Sequence, residues 1–337
     1  MIKKKSKLIN GFIVLGISLI LGLFFFAFGT SLQVVAIVVI ILNAIFFIFT
    51  KWQEHAVKYS LLAASSTTIL IVALIFIFLF KEAIPFAKDP GLGAIFGAKW
   101  APTSMMQPQF GFLPLFLGSL LVTVIAVVIA VPFGIIAAVY ISELARPFER
   151  EILKPLIEVL SSLPSVVIGF FGLIVLAPLI KNLFHLPSGL TALSGSVLLA
   201  LMAIPTIISI SEDAIRAVPT AYKEASLALG ASKLETIWKV TVPAALSGII
   251  ASITLGFGRV IGETMAVLMV TGNAAQTTLN PLTSVRTMTA TIAAEMGEVA
   301  FGSTHYSVLF WVGILLLIIT FVLNVIAQKA LKKFRMG

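Results

Sequence analysis

The chain contains no cysteine, which excludes disulfides, thiol catalysis and cysteine-based metal centres. Charge is scarce as well. Asp, Glu, Lys and Arg make up 11% of the 337 residues, where a soluble domain carries roughly twice that share. No G-x-x-x-x-G-K-[ST] run occurs, so the chain lacks a phosphate-cradling loop with which to hydrolyse ATP. H-E-x-x-H is missing too, and no serine–histidine pair marks an intramembrane protease. His55, His185 and His305 fall far apart in predicted loops, which argues against a histidine metal cluster.

Hydrocarbon is what the chain has in excess. Hydrophobic residues reach 59% and the mean hydropathy is +1.12. Such a composition specifies an all-α, polytopic transmembrane bundle. Eight apolar runs are expected as spans: 8–28, 32–50, 61–80, 112–141, 155–180, 193–210, 245–270 and 307–328. Each meets the requirement of about 20 residues for crossing a bilayer. The first follows Lys3, Lys4, Lys5 and Lys7, as in a signal peptide, but it exceeds the roughly 7–15 apolar residues of such a signal. It is read as a retained span. The expected organisation is an extra hairpin at 1–60, a first core-associated span with an external segment at 61–112, and a main transmembrane domain at 113–337.

The net charge of +9 invites a nucleic-acid reading, but the positive residues lie between apolar runs, as topology determinants do. With eight spans, seventeen Lys and Arg fall on the side of the two termini and five on the other. Arg259 remains, inside a span. This bias predicts a multi-pass protein of the cytoplasmic membrane with both termini in the cytoplasm.

One stretch, 212–243, is polar in these oily surroundings. Pro219 suits the first turn of a helix, Gly230 the left-handed residue that ends it, and Ser232 with Glu235 the capping box of a second. A solvated connector is the plain alternative. The residues go further, however. Glu224-Ala225-Ser226, Gly230 and Pro243 resemble the EAA loop of ABC-importer permeases, whose pattern is Glu-Ala-Ala, three residues, Gly, nine residues and Ile-x-Leu-Pro. The chain departs mildly at Ser226, Val240 and Val242. The resemblance implies a loop that docks into a cytoplasmic ATPase and transmits its motion, on the permease core of type I importers.

Two intramembrane stretches are also polar. Arg259 and Glu263 in GFGRVIGETMAV are four residues apart, so on one helix they share a face and can pair. Burying an arginine at the helix centre costs about 2.5–3.5 kcal/mol, so it should face protein or water. One reading is an internal clasp. The other places Arg259 on an anion's path, its fork matched to an oxyanion and its rotamer restrained by Glu263. Gly258 and Gly262 form a small-xxx-small pair. LSSLPSVVIGFFGL breaks its helix at Pro164 and suits either a cavity wall or a tight packing seam.

Together, PSVVIGFFGL, SISEDAIRAVP, the EAA loop, GRVIGETMAVLMVTGN and TMTATIAAEMGE resemble PstC-type permeases of phosphate ABC importers, from about residue 61 to the end. Residues 1–57 depart from that pattern. The resemblance implies phosphate as cargo, with Arg259 and Glu263 at the positions associated with its translocation. It implies a PstA-type second permease, a PstB-type ATPase dimer that binds ATP and magnesium, and a PstS-type extracytoplasmic binding protein. The chain itself would then bind no cofactor and touch membrane lipid, with no nucleic acid. Permeases for molybdate, sulfate or phosphonate are the nearest alternative. An ion-coupled carrier is a more distant one, since no internal repeat is visible and it leaves the EAA loop unexplained.

The charge bias makes a direct prediction. Cysteines introduced at Ser60 and Ser232 are expected to react with an impermeant maleimide only from the cytoplasmic side, and one at Ser303 only from outside. Labelling of position 232 from outside would overturn the orientation.

Overall fold

The computed structural model describes residues 53–104 and 107–335. The chain divides into two compact units, Met1–Phe78 and Leu79–Gly337. The second carries every group discussed below. The expected spans at 8–28 and 32–50, and with them nearly all of the 1–60 hairpin, lie outside the described residues.

The architecture is helical, as composition demands. Helix α1 (Gln53–Phe86) leads into tight turns and a two-residue hairpin, β1 (Trp100–Ala101) and β2 (Gln109–Phe110), with Trp100 paired to Phe110. Next come α2 (Leu113–Val139), α3 (Pro147–Ser162), the pair α4 (Ser165–Phe171) and α5 (Ala177–Leu183), and α6 (Ala192–Arg216). The polar loop folds as α7 (Thr220–Ala228), α8 (Lys233–Thr236) and α9 (Val242–Ala244). The chain then continues through α10 (Leu246–Ile261), α11 (Met265–Val270), α12 (Met288–Glu295) and α13 (Thr304–Arg335).

Among the described residues, five helical stretches are long and apolar enough to span a membrane: Val57–Asp89, Leu113–Leu144, Ser165–Leu183, Ala192–Arg216 and Thr304–Ile326. A sixth results if Lys233–Ala244 and Leu246–Ile261, bent by 69°, are counted together. Two expected spans are corrected. The run at 155–180 is not one helix, because Pro164 lacks an N–H and pushes Leu163 to extended geometry (φ −61°, ψ 133°). The apolar crossing begins only at Ser165, and α3 buries no residue. The run at 245–270 is likewise split, between Ile261 and Met265.

Helix α6 is the hub, with 61% of its apolar window buried. It packs against α2 on one side and α10 on the other. A seam of small residues makes the second contact close: Gly248 meets Ala214, Ser252 shares a 2.6 Å hydrogen bond with Ser211, and Gly256 meets Ile207. These positions recur every four residues, so they form one stripe of α10. The small-xxx-small pair Gly258 and Gly262 is not that seam, since nothing lies within 4 Å of a Cβ placed on Gly258. Ile207 is held from both sides, because a Cβ on Gly134 of α2 would also come within 2.7 Å of it.

The described parts of the expected external segments, 81–112 and 271–306, contribute Phe86, Trp100, Phe110 and Met288 to an apolar cluster with Leu309. Glu295 ties its polar edge together, accepting hydrogen bonds from Arg286 (2.6 Å) and Trp100 (3.0 Å) and pairing with His305 at 2.8 Å.

A Cβ on Gly256 would lie 2.7 Å from Ile207 Cγ1. Gly256→Leu is therefore expected to lower thermal stability in detergent by about 1–3 kcal/mol. Adding Ile207→Ala should recover part of the loss in the same unfolding assay.

Candidate functional site

The break at Pro164 leaves the last carbonyls of α3 without helical partners. Arg259, in the last turn of α10, answers one of them: its Nη2 donates to the Ser161 carbonyl at 3.1 Å. Its Nη1 donates to Thr206 Oγ1 on α6 at 3.0 Å. A cation suits the partial negative charge of a helix C-terminus. One guanidinium thus joins α3, α6 and α10.

Glu263 does not pair with Arg259. Helix α10 stops at Ile261, so the two residues no longer share a helical face. The Glu263 carboxylate instead turns forward, and its Oε1 accepts from the backbone N–H groups of Thr264 (3.1 Å) and Ala266 (3.3 Å), at the start of α11. Arg259 and Glu263 form no ion pair among those of the described residues. Both side chains are half-buried. The pairing inferred from their spacing assumed a continuous helix, and the break removes that premise.

Sequence reasoning missed the acidic pair at the other end of α6. Glu212 is 2% exposed, with Lys154 at 2.8 Å and Arg216 at 3.2 Å. Lys154 also reaches Asp213 at 3.0 Å. Hydrogen bonds to Glu212 first and Asp213 second hold the Lys154 ammonium above the usual lysine range. The only hint in the sequence was two adjacent acids ending an apolar run, because Lys154 lies 58 positions away. These bonds clamp α3 to α6.

The polar loop follows its sequence signals closely. Helix α7 begins directly after Pro219. It ends in a Schellman turn, in which Gly230 N donates to Leu227 O and Ala231 N to Ser226 O, with Gly230 at φ +88°. Ser232 and Glu235 form the expected capping box. Ser226, one of the departures from the EAA pattern, shares a 2.9 Å hydrogen bond with Thr236, which fastens α7 to α8. Lys223 bonds Glu143 at 2.6 Å and ties the loop to the end of the Leu113–Leu144 helix. Glu224 and Ala225 are exposed, as are the apolar side chains of Tyr222, Leu227, Leu229 and Trp238. Pro243 precedes the 69° bend into α10.

This arrangement defines a class: a helical membrane transport subunit with an ordered polar loop and a charged group among its spans. Residues 130–335 match the model of the binding-protein-dependent transport system inner membrane component, and the chain belongs to that family. It is a permease subunit of ABC importers and not an enzyme. The chain is 40% identical over 222 residues to the probable ABC transporter permease protein YqgH of Bacillus subtilis (strain 168), covering 66% of this chain and 72% of that one. It is 33% identical over 291 residues to the phosphate transport system permease protein PstC of Mesorhizobium japonicum, covering 80% and 88%. The fold is also similar to a chain of a bacterial alginate ABC transporter solved with its pentasaccharide-bound periplasmic protein, with a TM-score of 0.57, 13% identity and coverage of 82% and 96%.

At Gly230 a side chain meets open space, so only the positive φ resists substitution. Gly230→Val is expected to strain the turn by about 1–2 kcal/mol and weaken copurification of the ATPase, while the spans still insert. Gly230→Asn should retain more of it, since asparagine tolerates this conformation. Equal recovery with both variants would count against a role for this turn.

Proposed function

We propose that the chain passes inorganic phosphate across the cytoplasmic membrane as one permease of an ATP-driven importer, with Arg259 on the path of the anion. The observation that carries this reading is the state of Arg259. Its guanidinium sits half-buried among apolar helices and donates only to a hydroxyl and a carbonyl among the described residues, so no carboxylate neutralises it. A positive charge left uncompensated at such a place is a feature an anionic cargo would satisfy. Phosphate is the anion named for several relatives, at 30–33% identity.

The remaining parts follow from the same reading. The 212–243 loop, through Glu224, Ala225, Ser226, Gly230 and Pro243, docks the partner ATPase, and its exposed apolar side chains form the contact. ATP and magnesium are bound by that PstB-type dimer. A PstA-type permease completes the pore, and a PstS-type protein delivers phosphate from outside. Glu263 acts by holding the start of α11 and not by restraining Arg259.

Arg259→Lys keeps the charge but loses the fork, so it is expected to retain at most part of phosphate uptake. Arg259→Gln should abolish it. Because Glu263 is bonded elsewhere, Arg259→Gln with Glu263→Gln should show no rescue. Uptake of labelled phosphate, at matched membrane levels and confirmed assembly, measures this. Substantial recovery in the double variant would instead favour an internal clasp.

A further inference from the structure

The donors and acceptors around Arg259 do not balance, and the imbalance has a chemical sense. A guanidinium carries five N–H donors. Two are taken, by Thr206 Oγ1 and the Ser161 carbonyl, and the remaining three meet no acceptor among the described residues. The Thr206 hydroxyl accepts from Arg259, so its own hydrogen is directed elsewhere, and it too meets no acceptor among the described residues. The Ser161 carbonyl has two lone pairs, and Arg259 uses one. The serine hydroxyls of this stretch are turned away: Ser161 Oγ donates to Glu158 O at 2.8 Å and Ser162 Oγ to Val159 O at 2.7 Å. The Glu263 carboxylate is occupied at Thr264 and Ala266.

We infer that Arg259, Thr206 and the Ser161 carbonyl form one oxyanion site that selects an anion still carrying an O–H, such as hydrogen phosphate or hydrogen arsenate, over a fully deprotonated one. This deepens the proposed function and rests on Arg259 lying on the anion's path. The charged oxygens accept from Arg259 and from the Thr206 hydroxyl. The remaining O–H donates to the Ser161 carbonyl. Sulfate and molybdate carry no proton at neutral pH, so they turn a lone pair toward that carbonyl and leave it unsatisfied. A site built to bond a hydroxyl rejects the analogue lacking it far more strongly than an apolar pocket rejects a small change of size. Thr206 is thereby a substrate-binding residue, and the Pro164 break supplies the acceptor by freeing the carbonyl.

The test uses the assembled importer. Thr206→Val, which keeps the shape and removes the hydroxyl, is expected to lower phosphate uptake about tenfold or more at matched membrane levels and assembly. Thr206→Ser should stay within about twofold of the parent. Selectivity is read without the binding protein, so that its own choice of ligand does not enter. Since the chain has no cysteine, Ser161→Cys supplies a single thiol on the residue whose carbonyl bonds Arg259. Phosphate and arsenate are expected to slow its alkylation by a maleimide about threefold or more, as occupancy requires. Sulfate and molybdate at equal ionic strength should leave the rate unchanged, and Thr206→Val should remove the protection. Protection by sulfate equal to that by phosphate, protection by no oxyanion, or normal uptake with Thr206→Val each overturns the inference. If the parent complex fails to take up phosphate, the proposed function falls. If the parent takes it up while these variants behave alike, only the present inference does.

Discussion

A backbone group freed inside a membrane has no water to bond, and among the described residues two helix breaks free such groups beside charged side chains. One lies before Pro164 and the other between Ile261 and Met265. Each break is answered by a charge of the matching sign. Arg259 donates to a carbonyl at the C-terminal end of α3, and Glu263 accepts from the N–H groups that open α11. Two charges whose spacing suggests mutual neutralisation each serve a helix end instead. The guanidinium is therefore left without an anionic partner among the described residues. Everything proposed for the anion path depends on that local electrostatics.

Helix α6 sets the positions of these groups relative to the polar loop. Its middle presents Thr206 to Arg259 and Ile207 to the notches at Gly134 and Gly256. Its end presents Glu212 and Asp213 to Lys154 of α3. Helix α3 fully buries none of its own side chains; it is placed by partial packing of Leu153 and Ile157 and by polar bonds at Lys154 and at its final carbonyls. A helix fixed by a few directional bonds and a lightly packed face has less to lose on moving than α6 has. Breaking the Lys154 pair would leave Glu212 buried beside Arg216 alone.

Much of the loop was legible in the sequence, because its signals are local. Gly230 and the Ser232–Glu235 box act within one turn of chain and formed as their chemistry requires, while Pro219 falls at the N-cap, one residue before the first turn expected for it. The Ser226–Thr236 bond was not visible, since it joins two helices whose relative angle only the folded loop defines. The membrane helices were legible as apolar runs, though not as straight rods. The run at 155–180 merged the end of one helix with the crossing that follows, because hydropathy averages over a proline that the backbone cannot ignore. The seam of Gly248, Ser252 and Gly256 went unread in favour of Gly258 and Gly262, because spacing alone does not say which stripe faces a neighbour.

Composition and local chemistry thus determined by themselves that this is a helical membrane protein with a structured polar loop, and motif order pointed to the importer permeases to which it belongs. Hydrophobic periodicity, caps and turn residues are properties of a few consecutive side chains, so sequence suffices for them. Only the tertiary structure decided what Arg259, Glu263 and Glu212 touch. Their partners lie up to 98 positions away or depend on where a helix breaks, and a side chain at such a break bonds whichever backbone end comes within reach.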